Sequence, residues 1–213
     1  MSHTLPQGPF QSLLKWKLWK KSRASSKALP RPTQPTRKKT VTLPQRSESK
    51  SYSNYRNGFL EMQLNKDLRE FIELLNSGKI DYLVVGGFAV AWHGYPRFTA
   101  DIDFLVGTAQ SNAVAIVGVL DAFGFRSLEI KPEDLTQPGQ IVQLGAKPNR
   151  IDLITSISGI NFAQAWEHRA PGSIDGIPVF FISREDLIRN KESTGRPKDL
   201  GDVAALRERE PDD

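Results

Sequence analysis

Asp101 and Asp103 alternate with apolar residues in a segment that ends at Val106. A period of two is typical of a β-strand, so both carboxylates are expected on one face, roughly 7 Å apart at their Cα atoms. The alternative is a polar strand edge, but Asp is disfavoured in strands and like charges on one face repel each other. The pair therefore indicates a bound divalent cation, with Mg²⁺ the expected ion and Mn²⁺ the alternative, since Mg²⁺ takes carboxylate oxygens, water and substrate phosphates as ligands.

A third acid, Asp152, lies inside the apolar segment 151–155. If its strand lay beside the strand of Asp101 and Asp103, three carboxylates would converge on one or two metal ions. Asp152 would then position or deprotonate an attacking hydroxyl. The alternative is a structural ion pair between Asp152 and a base such as Arg150. Neighbouring strands are an assumption that sequence does not test.

A diglycine, Gly86-Gly87, follows an apolar strand pattern and leads directly into a helical one. Glycines there let backbone N–H groups approach a phosphate at the positive end of the helix, although a diglycine alone is most often a tight turn. Arg97 is a candidate to neutralise phosphate charge. Thr99 is expected to hydrogen-bond near the Asp pair and orient it.

The order of these residues resembles the nucleotidyltransferase superfamily with the DNA polymerase β type fold. Residues from about 62 to 208 are similar to small bacterial proteins grouped with the AbiEii toxins of type IV toxin–antitoxin systems. The resemblance implies that the diglycine loop binds the phosphates of an NTP, that the paired acids hold Mg²⁺, and that the third acid serves the acceptor hydroxyl. These roles fall, in chain order, on Gly86, Gly87, Asp101, Asp103 and Asp152.

The AbiEii-like branch also has a C-terminal Lys, a following Arg, and a basic residue next to an Asp that opens a helix. Lys191, Arg196, Lys198 and Asp199 match that pattern, and Asp202 continues it. Because a Lys or Arg neutralises triphosphate charge, Lys191 and Arg196 are candidates to bind the nucleotide, with Lys198 and Asp199 in support. The alternatives are surface charge for the Arg and Lys at 196 and 198, and a macrodipole contact for the acid at 199.

The function expected from this resemblance is Mg²⁺-dependent transfer of a nucleoside monophosphate from an NTP to a hydroxyl of RNA, protein or a small molecule. A toxin controlled by an antitoxin is the narrower expectation. Gly87 stands where active members more often carry Ser, so a catalytically inactive nucleotide-binding or interaction module of the same fold is the alternative. A further alternative is nucleic-acid tethering through the basic N-terminal tail.

Composition excludes several other classes of protein. The chain has 213 residues, 38% of them hydrophobic, and no apolar run approaches the roughly 20 residues of a membrane-spanning helix. Integral membrane association is therefore not expected. The absence of Cys excludes a disulfide scaffold, a thiolate zinc site and a cysteine nucleophile, and three scattered His residues cannot form a His-rich metal site. We predict a cytoplasmic protein.

Charge divides the chain into two parts. Residues 1–57 carry 13 Lys and Arg and a single acid, whereas the remainder carries 16 basic and 23 acidic residues. The Pro-, Ser- and Lys/Arg-rich composition predicts a disordered basic tail over residues 1–58, ahead of a nucleotidyltransferase-like domain over 59–213. Met62 directly precedes the first helical pattern, so the tail is alternatively the product of a start codon assigned too early.

Hydrophobic periodicity predicts an α+β domain in which helices flank one mixed sheet. Helices are predicted over 64–75, 88–93, 112–123, 184–191 and 198–207, and strands over 80–85, 102–106, 126–130, 141–144, 151–155 and 179–182.

Overall fold

The computed structural model describes residues 64, 66–99, 101–126, 129–145 and 150–208. The predicted tail over residues 1–58, and Met62, lie outside the described residues. The helices are α1 (Lys66–Ser77), α2 (Gly86–Trp92), α3 (Gln110–Ala122), α4 (Pro132–Thr136), α5 (Phe162–Glu167), α6 (Arg184–Thr194) and α7 (Pro197–Arg207). The strands are β1 (Tyr82–Val85), β2 (Asp101–Val106), β3 (Ile141–Leu144), β4 (Arg150–Ile154), β5 (Ala170–Ile174) and β6 (Ile177–Phe181).

The strands form one mixed six-stranded sheet in the order β3-β4-β2-β1-β6-β5. β2 runs antiparallel to β1 and parallel to β4, and β1 runs parallel to β6. All four residues of β1 are buried, as expected for a strand inside a sheet covered by helices. The predicted α+β class, a mixed sheet flanked by helices, is confirmed.

The core forms where helices pack their apolar stripes on the sheet. α1 buries Leu68, Phe71, Ile72 and Leu75, which recur at helical spacing. The Phe71 ring lies 6.0 Å from Phe104 of β2 and 5.1 Å from Phe123 after α3. On the C-terminal side, α2 contacts α6, and α6 packs along α7. The glycine turn, the Asp strand and the last two helices are thereby brought into one region.

The strand predicted over 126–130 is wrong for the residues that the structure describes there. Arg126, Glu129 and Ile130 lie outside the sheet. The Phe125 amide donates to the Leu120 carbonyl at 2.8 Å, which folds the chain back onto the end of α3. Glu129 has φ +50°, a left-handed conformation that interrupts extended backbone.

The sequence reading missed the hairpin of β5 with β6. Pro171 and Gly172 break the apolar alternation of β5, and such residues are tolerated because this strand lies at the edge of the sheet. The available signal was the turn Asp175-Gly176, where both residues have positive φ, 51° and 75°, as a two-residue hairpin loop requires.

Two short helices were also missed. α4 begins with Pro132, and its first turn carries the Asp134 carboxylate, which accepts from the Lys131 amide at 3.1 Å. α5 is capped by Asn161, whose side chain accepts from the Gln164 amide at 3.2 Å. Helices this short leave too few turns for apolar periodicity to be visible.

In the described part of the chain, every helix is too short or too polar to cross a bilayer.

Candidate active site

Strand register brings the three acids together. β2 and β4 are neighbouring parallel strands in which Asp103 pairs with Asp152, and Asp101 pairs with Arg150. Paired residues of adjacent strands project from the same face, and Asp101 shares that face because it lies two residues from Asp103. The structure therefore places all three carboxylates and one guanidinium on a single patch of the sheet.

Arg150 joins two of these acids. Its Nε and Nη2 donate to the two oxygens of Asp152 at 2.7 and 2.8 Å, which is the bidentate geometry of a strong ion pair. The same Nη2 donates to Asp101 Oδ2 at 2.5 Å. Gln143 Nε2 also donates to Asp152, at 3.2 Å. The ion pair between Arg150 and Asp152, which the sequence left as an alternative, is thus present, and it extends to Asp101.

Asp103 differs from Asp101 and Asp152 in its contacts. Within the described ranges its carboxylate has neither a hydrogen-bond donor nor an ion-pair partner. Burial and, after it, repulsion from Asp101 and Asp152 raise the pKa of Asp103 to about 7, although Arg150 and Lys191 partly counteract them. This carboxylate has the surroundings of a group that would bind a cation.

The glycine turn lies directly against Asp103. Gly86 has φ +65°, and a Cβ at this position would lie 2.0 Å from Asp103 Oδ2. A Cβ at Gly87 would lie 2.7 Å from Thr99 Oγ1 and 2.8 Å from Thr99 Cβ. Close packing therefore favours glycine at both positions, against Asp103 of β2 at Gly86 and against Thr99, which precedes β2, at Gly87. A Ser at position 87 would bring its Cβ against Thr99, so Thr99 would have to shift.

Thr99 orients the first acid of the pair. Its hydroxyl donates to Asp101 Oδ1 at 3.0 Å and lies 3.1 Å from the Asp101 carbonyl. Asp101 is consequently held by Thr99 on one oxygen and by Arg150 on the other. Because Gly87 contacts Thr99, the turn and the Asp strand form one packed unit.

The C-terminal residues form a second charged cluster, which we call the α6–α7 ion network. The Lys191 ammonium contacts Asp199 Oδ1 at 2.8 Å and Asp202 Oδ2 at 2.7 Å. Arg97 donates to both oxygens of Asp202, at 2.8 and 3.0 Å, and so connects the network to the segment that precedes β2. Arg196 pairs with Asp199 on the exposed side.

Asp199 shows how well this network is satisfied. Burial alone would raise its pKa, but hydrogen bonds from Lys191, Thr194 and Arg196 outweigh burial and hold the pKa at about 2. The Lys191 side chain is only 5% exposed. Lys198 is exposed on the first turn of α7 and has no ion pair with another described residue.

The cations predicted to bind nucleotide are thus already paired. Lys191, Arg97 and Arg196 each contact a carboxylate of the α6–α7 ion network. Lys191 still acts on the neighbouring carboxylates, because its charge lowers the pKa of Asp103. Lys191 would contribute to a phosphate site through its positive charge, acting over a short distance.

The donor set can be tested against the metal that the resemblance implies. In the ranges that the structure describes, no group of three or more His, Cys, Asp or Glu side chains is arranged to hold a metal ion. Asp152 directs both oxygens to Arg150 and Asp101 directs one, so Arg150 occupies more of Asp152 than of Asp101. Asp101 and Asp103 fit a hard divalent ion that keeps water and phosphate as further ligands, because both are oxygen donors and Asp103 is unpaired and repelled by its neighbours.

Sequence reasoning missed two connections. It gave Arg150 only a pairing with Asp152, and the contact with Asp101 depends on strand order. It treated Asp202 as a continuation of the C-terminal pattern, whereas Asp202 joins Lys191 to Arg97. Arg97, the partner of Asp202, lies 105 residues away in the chain, so no local sequence pattern predicts this contact.

Comparison with known proteins gives a family for most of the described chain. Residues 62–207 match the model of a family described as "Nucleotidyltransferase of unknown function (DUF6036)". A solved structure described as an antigenic nucleotidyltransferase-like protein from Paracoccidioides brasiliensis is 20% identical to the chain, with a TM-score of 0.39. The match covers 72% of this chain and 76% of that one. No curated protein matches the sequence.

Proposed function

The chain belongs to the nucleotidyltransferase family DUF6036, and from that premise we propose that it transfers a nucleoside monophosphate from an NTP to a hydroxyl acceptor. The reaction forms a bond between the acceptor oxygen and the α-phosphorus and breaks the bond to the β-phosphate, so that pyrophosphate leaves. A cytoplasmic location, where NTPs and Mg²⁺ are available, suits this reaction.

One observation carries the proposal. Asp103 and Asp152 are register partners on adjacent parallel strands, and Asp103 lies against the glycine turn at Gly86. This juxtaposition provides carboxylate oxygens beside a close-packed backbone turn, which is the combination that a nucleotide with its metal requires.

Each group has a task in the proposed reaction. Asp101 and Asp103 would hold Mg²⁺, or Mn²⁺ in its place, with Thr99 fixing the orientation of Asp101. When bound, the ion would neutralise triphosphate charge and lower the pKa of the acceptor hydroxyl. Asp152 would position or deprotonate that hydroxyl, and the backbone of Gly86 and Gly87 would approach the phosphates.

The α6–α7 ion network supports the same reaction with positive charge, since the charge of Lys191 already acts on Asp103. Lys191 and Arg97 would place positive charge near the triphosphate, with Arg196 and Lys198 at the exposed rim. Asp199 and Asp202 would keep Lys191 and Arg97 in position.

We further propose that the chain acts as an AbiEii-like toxin, with RNA, a protein or a small molecule as acceptor and an antitoxin as partner. The C-terminal pattern supports this proposal, because four of its residues, Lys191, Arg196, Asp199 and Asp202, form one ion network. Induced expression of the chain should arrest bacterial growth, and expression of Asp103→Asn should not. Equal growth arrest by both forms would overturn the toxin proposal.

The decisive experiment uses an NTP labelled at the α-phosphate, the full-length chain, Mg²⁺ and a cell extract. Label should move to an acceptor that nuclease or protease treatment then classifies, while a γ-labelled NTP should yield labelled pyrophosphate. Asp103→Asn should abolish both signals. Asp121→Asn, which alters a surface ion pair with Arg126, is the matched control and should retain them.

A catalytically inactive nucleotide-binding module is the second candidate, and the contacts of Arg150 favour it: this guanidinium already binds Asp101 and Asp152. Such a module would bind NTP in calorimetry but release no pyrophosphate at any Mg²⁺ or Mn²⁺ concentration. That result would replace the proposed transfer reaction with a binding role.

A further inference from the structure

Arg150 lies where a bound cation would be expected. Its guanidinium contacts Asp152 through two nitrogens and Asp101 through one, and the Arg150 side chain is 21% exposed. The two contacts are unequal. Asp152 is held by a bidentate pair and is only 7% exposed, whereas Asp101 is held through one nitrogen and is 23% exposed.

The charges of the patch do not balance. Asp101, Asp103 and Asp152 face one guanidinium, so two negative charges are in excess when all groups are ionised. Lys191 contributes from the neighbouring network, but its ammonium is already shared between Asp199 and Asp202. One divalent cation would neutralise this excess.

We propose that Arg150 is an internal counter-ion that competes with the divalent cation for Asp101. In the metal-free protein Arg150 holds Asp101 and Asp152 together against their repulsion. On metal binding it gives up its single contact with Asp101 and keeps the bidentate pair with Asp152. Arg150 is therefore a positioning residue that sets metal affinity, and this inference rests on the proposed metal site of Asp101 and Asp103.

The different exposure of Asp101 and Asp152 supports the release of Asp101, and not of Asp152, by Arg150. Asp101 is the more accessible carboxylate, and Thr99 would keep its other oxygen oriented while Arg150 withdraws. Asp152 would stay fixed near Asp103, its register partner. The same guanidinium, freed on one edge, could then donate to a phosphate oxygen.

The test is Mn²⁺ affinity of the full-length chain without nucleotide, measured from the free-Mn²⁺ signal in electron paramagnetic resonance. Arg150→Met should bind Mn²⁺ about tenfold or more tightly, because a charge-assisted competitor is removed. Arg150→Lys keeps the charge and should stay close to the native affinity. Arg69→Met, which removes a surface ion pair with Asp175, is the control and should leave affinity unchanged.

Unchanged or weaker Mn²⁺ binding by Arg150→Met would overturn the inference, since a purely structural arginine does not compete with the ion. If this variant does not fold, the native protein provides a second test through its arginine side-chain NMR signals, with Arg150→Lys supplying the assignment. Addition of Mg²⁺ should shift the Arg150 Nη signals while its Nε–H, bonded to Asp152, stays protected. Unshifted Nη signals at saturating Mg²⁺ would also overturn it.

Failure of this inference is distinguishable from failure of the metal site itself. Asp103→Asn should lower Mn²⁺ affinity if Asp101 and Asp103 bind the ion. Native-like binding by Asp103→Asn would refute the metal site. Weakened binding by Asp103→Asn together with unchanged binding by Arg150→Met would refute only the competition.

Discussion

Two clusters of charged side chains lie close together in this molecule and differ in how their charges are satisfied. In the α6–α7 ion network, Lys191, Arg97 and Arg196 meet two acids, Asp199 and Asp202, and the pKa of Asp199 is lowered to about 2. In the β2–β4 patch, three acids meet one arginine, and the pKa of Asp103 is raised to about 7.

This difference in pairing distinguishes charged residues that stabilise the fold from charged residues that are available to a ligand. A network whose carboxylates are all paired with cations does not require an external ligand. Removing one of its charged side chains leaves a buried charge without a partner. A patch that keeps an unpaired carboxylate costs stability unless a ligand supplies the missing charge. The β2–β4 patch is thus the better candidate for ligand chemistry, and the network is the better candidate for holding that patch in place.

Removal of the unpaired acid should give the largest effect. Asp103→Asn is expected to lower nucleotidyl transfer by about 10³-fold or more, as for other residues that contact the reacting groups. Its free energy of unfolding without metal should stay equal or increase, because a repelled charge is removed. Urea titration beside the transfer assay measures both. A large loss of stability in Asp103→Asn would contradict the comparison.

Breaking the balanced network should mainly cost stability. Lys191→Met leaves Asp199 and Asp202 with one cation fewer and should lower the free energy of unfolding by about 3–5 kcal/mol. Arg196→Met, at a position where the side chain is 71% exposed, is the matched control and should cost less than about 1 kcal/mol. Equal losses in the two variants would show that burial does not distinguish these pairs.

The glycine turn offers a paired test of packing. Gly86 and Gly195 have nearly the same left-handed φ, 65° and 63°, but only at Gly86 would a Cβ meet other atoms, 2.0 Å from Asp103 Oδ2. Gly195→Ala should cost about 1 kcal/mol from backbone strain, and Gly86→Ala about 2–4 kcal/mol. Adding Asp103→Ala to Gly86→Ala should restore the stability that Gly86→Ala loses beyond the loss in Gly195→Ala. If it does not, the extra loss does not come from the contact with the Asp103 side chain.

The pH dependence of stability should have opposite signs for the two clusters. At any single pH, the resulting change in the free energy of unfolding is the smallest of the effects expected. The folded-state pKa of Asp199 is depressed, so its stabilisation is present above about pH 4 and is lost as pH falls toward 2. The folded-state pKa of Asp103 is raised, so the metal-free protein should lose stability as pH rises from about 4 to 7.

Urea titrations from pH 2 to 8 would separate these two contributions. Asp199→Asn should abolish the acid-side loss, and Asp103→Asn should abolish the decline toward neutral pH. A decline that persists in Asp103→Asn would assign it to another group. Saturating Mg²⁺ should also remove the decline in the native protein, because the bound ion favours the ionised carboxylate.

Local pattern was sufficient for much of the fold. The apolar stripe of α1, the alternation in β2 and the diglycine before α2 each fall within a dozen residues, and each was located from sequence within a few residues of its place in the structure. Prediction failed where local conformation opposed the pattern, as at Glu129, and where Pro171 and Gly172 interrupted an edge strand.

The sequence by itself determined which residues bear chemistry, because the acids at 101, 103 and 152 stand out against apolar strand patterns. Only the tertiary structure decided what those acids contact. Strand order follows from packing of the whole core, so the register that sets Asp103 beside Asp152 and Arg150 beside Asp101 has no local signal. The same holds for the pairing of Arg97 with Asp202, since long-range contacts depend on how helices and sheet pack together.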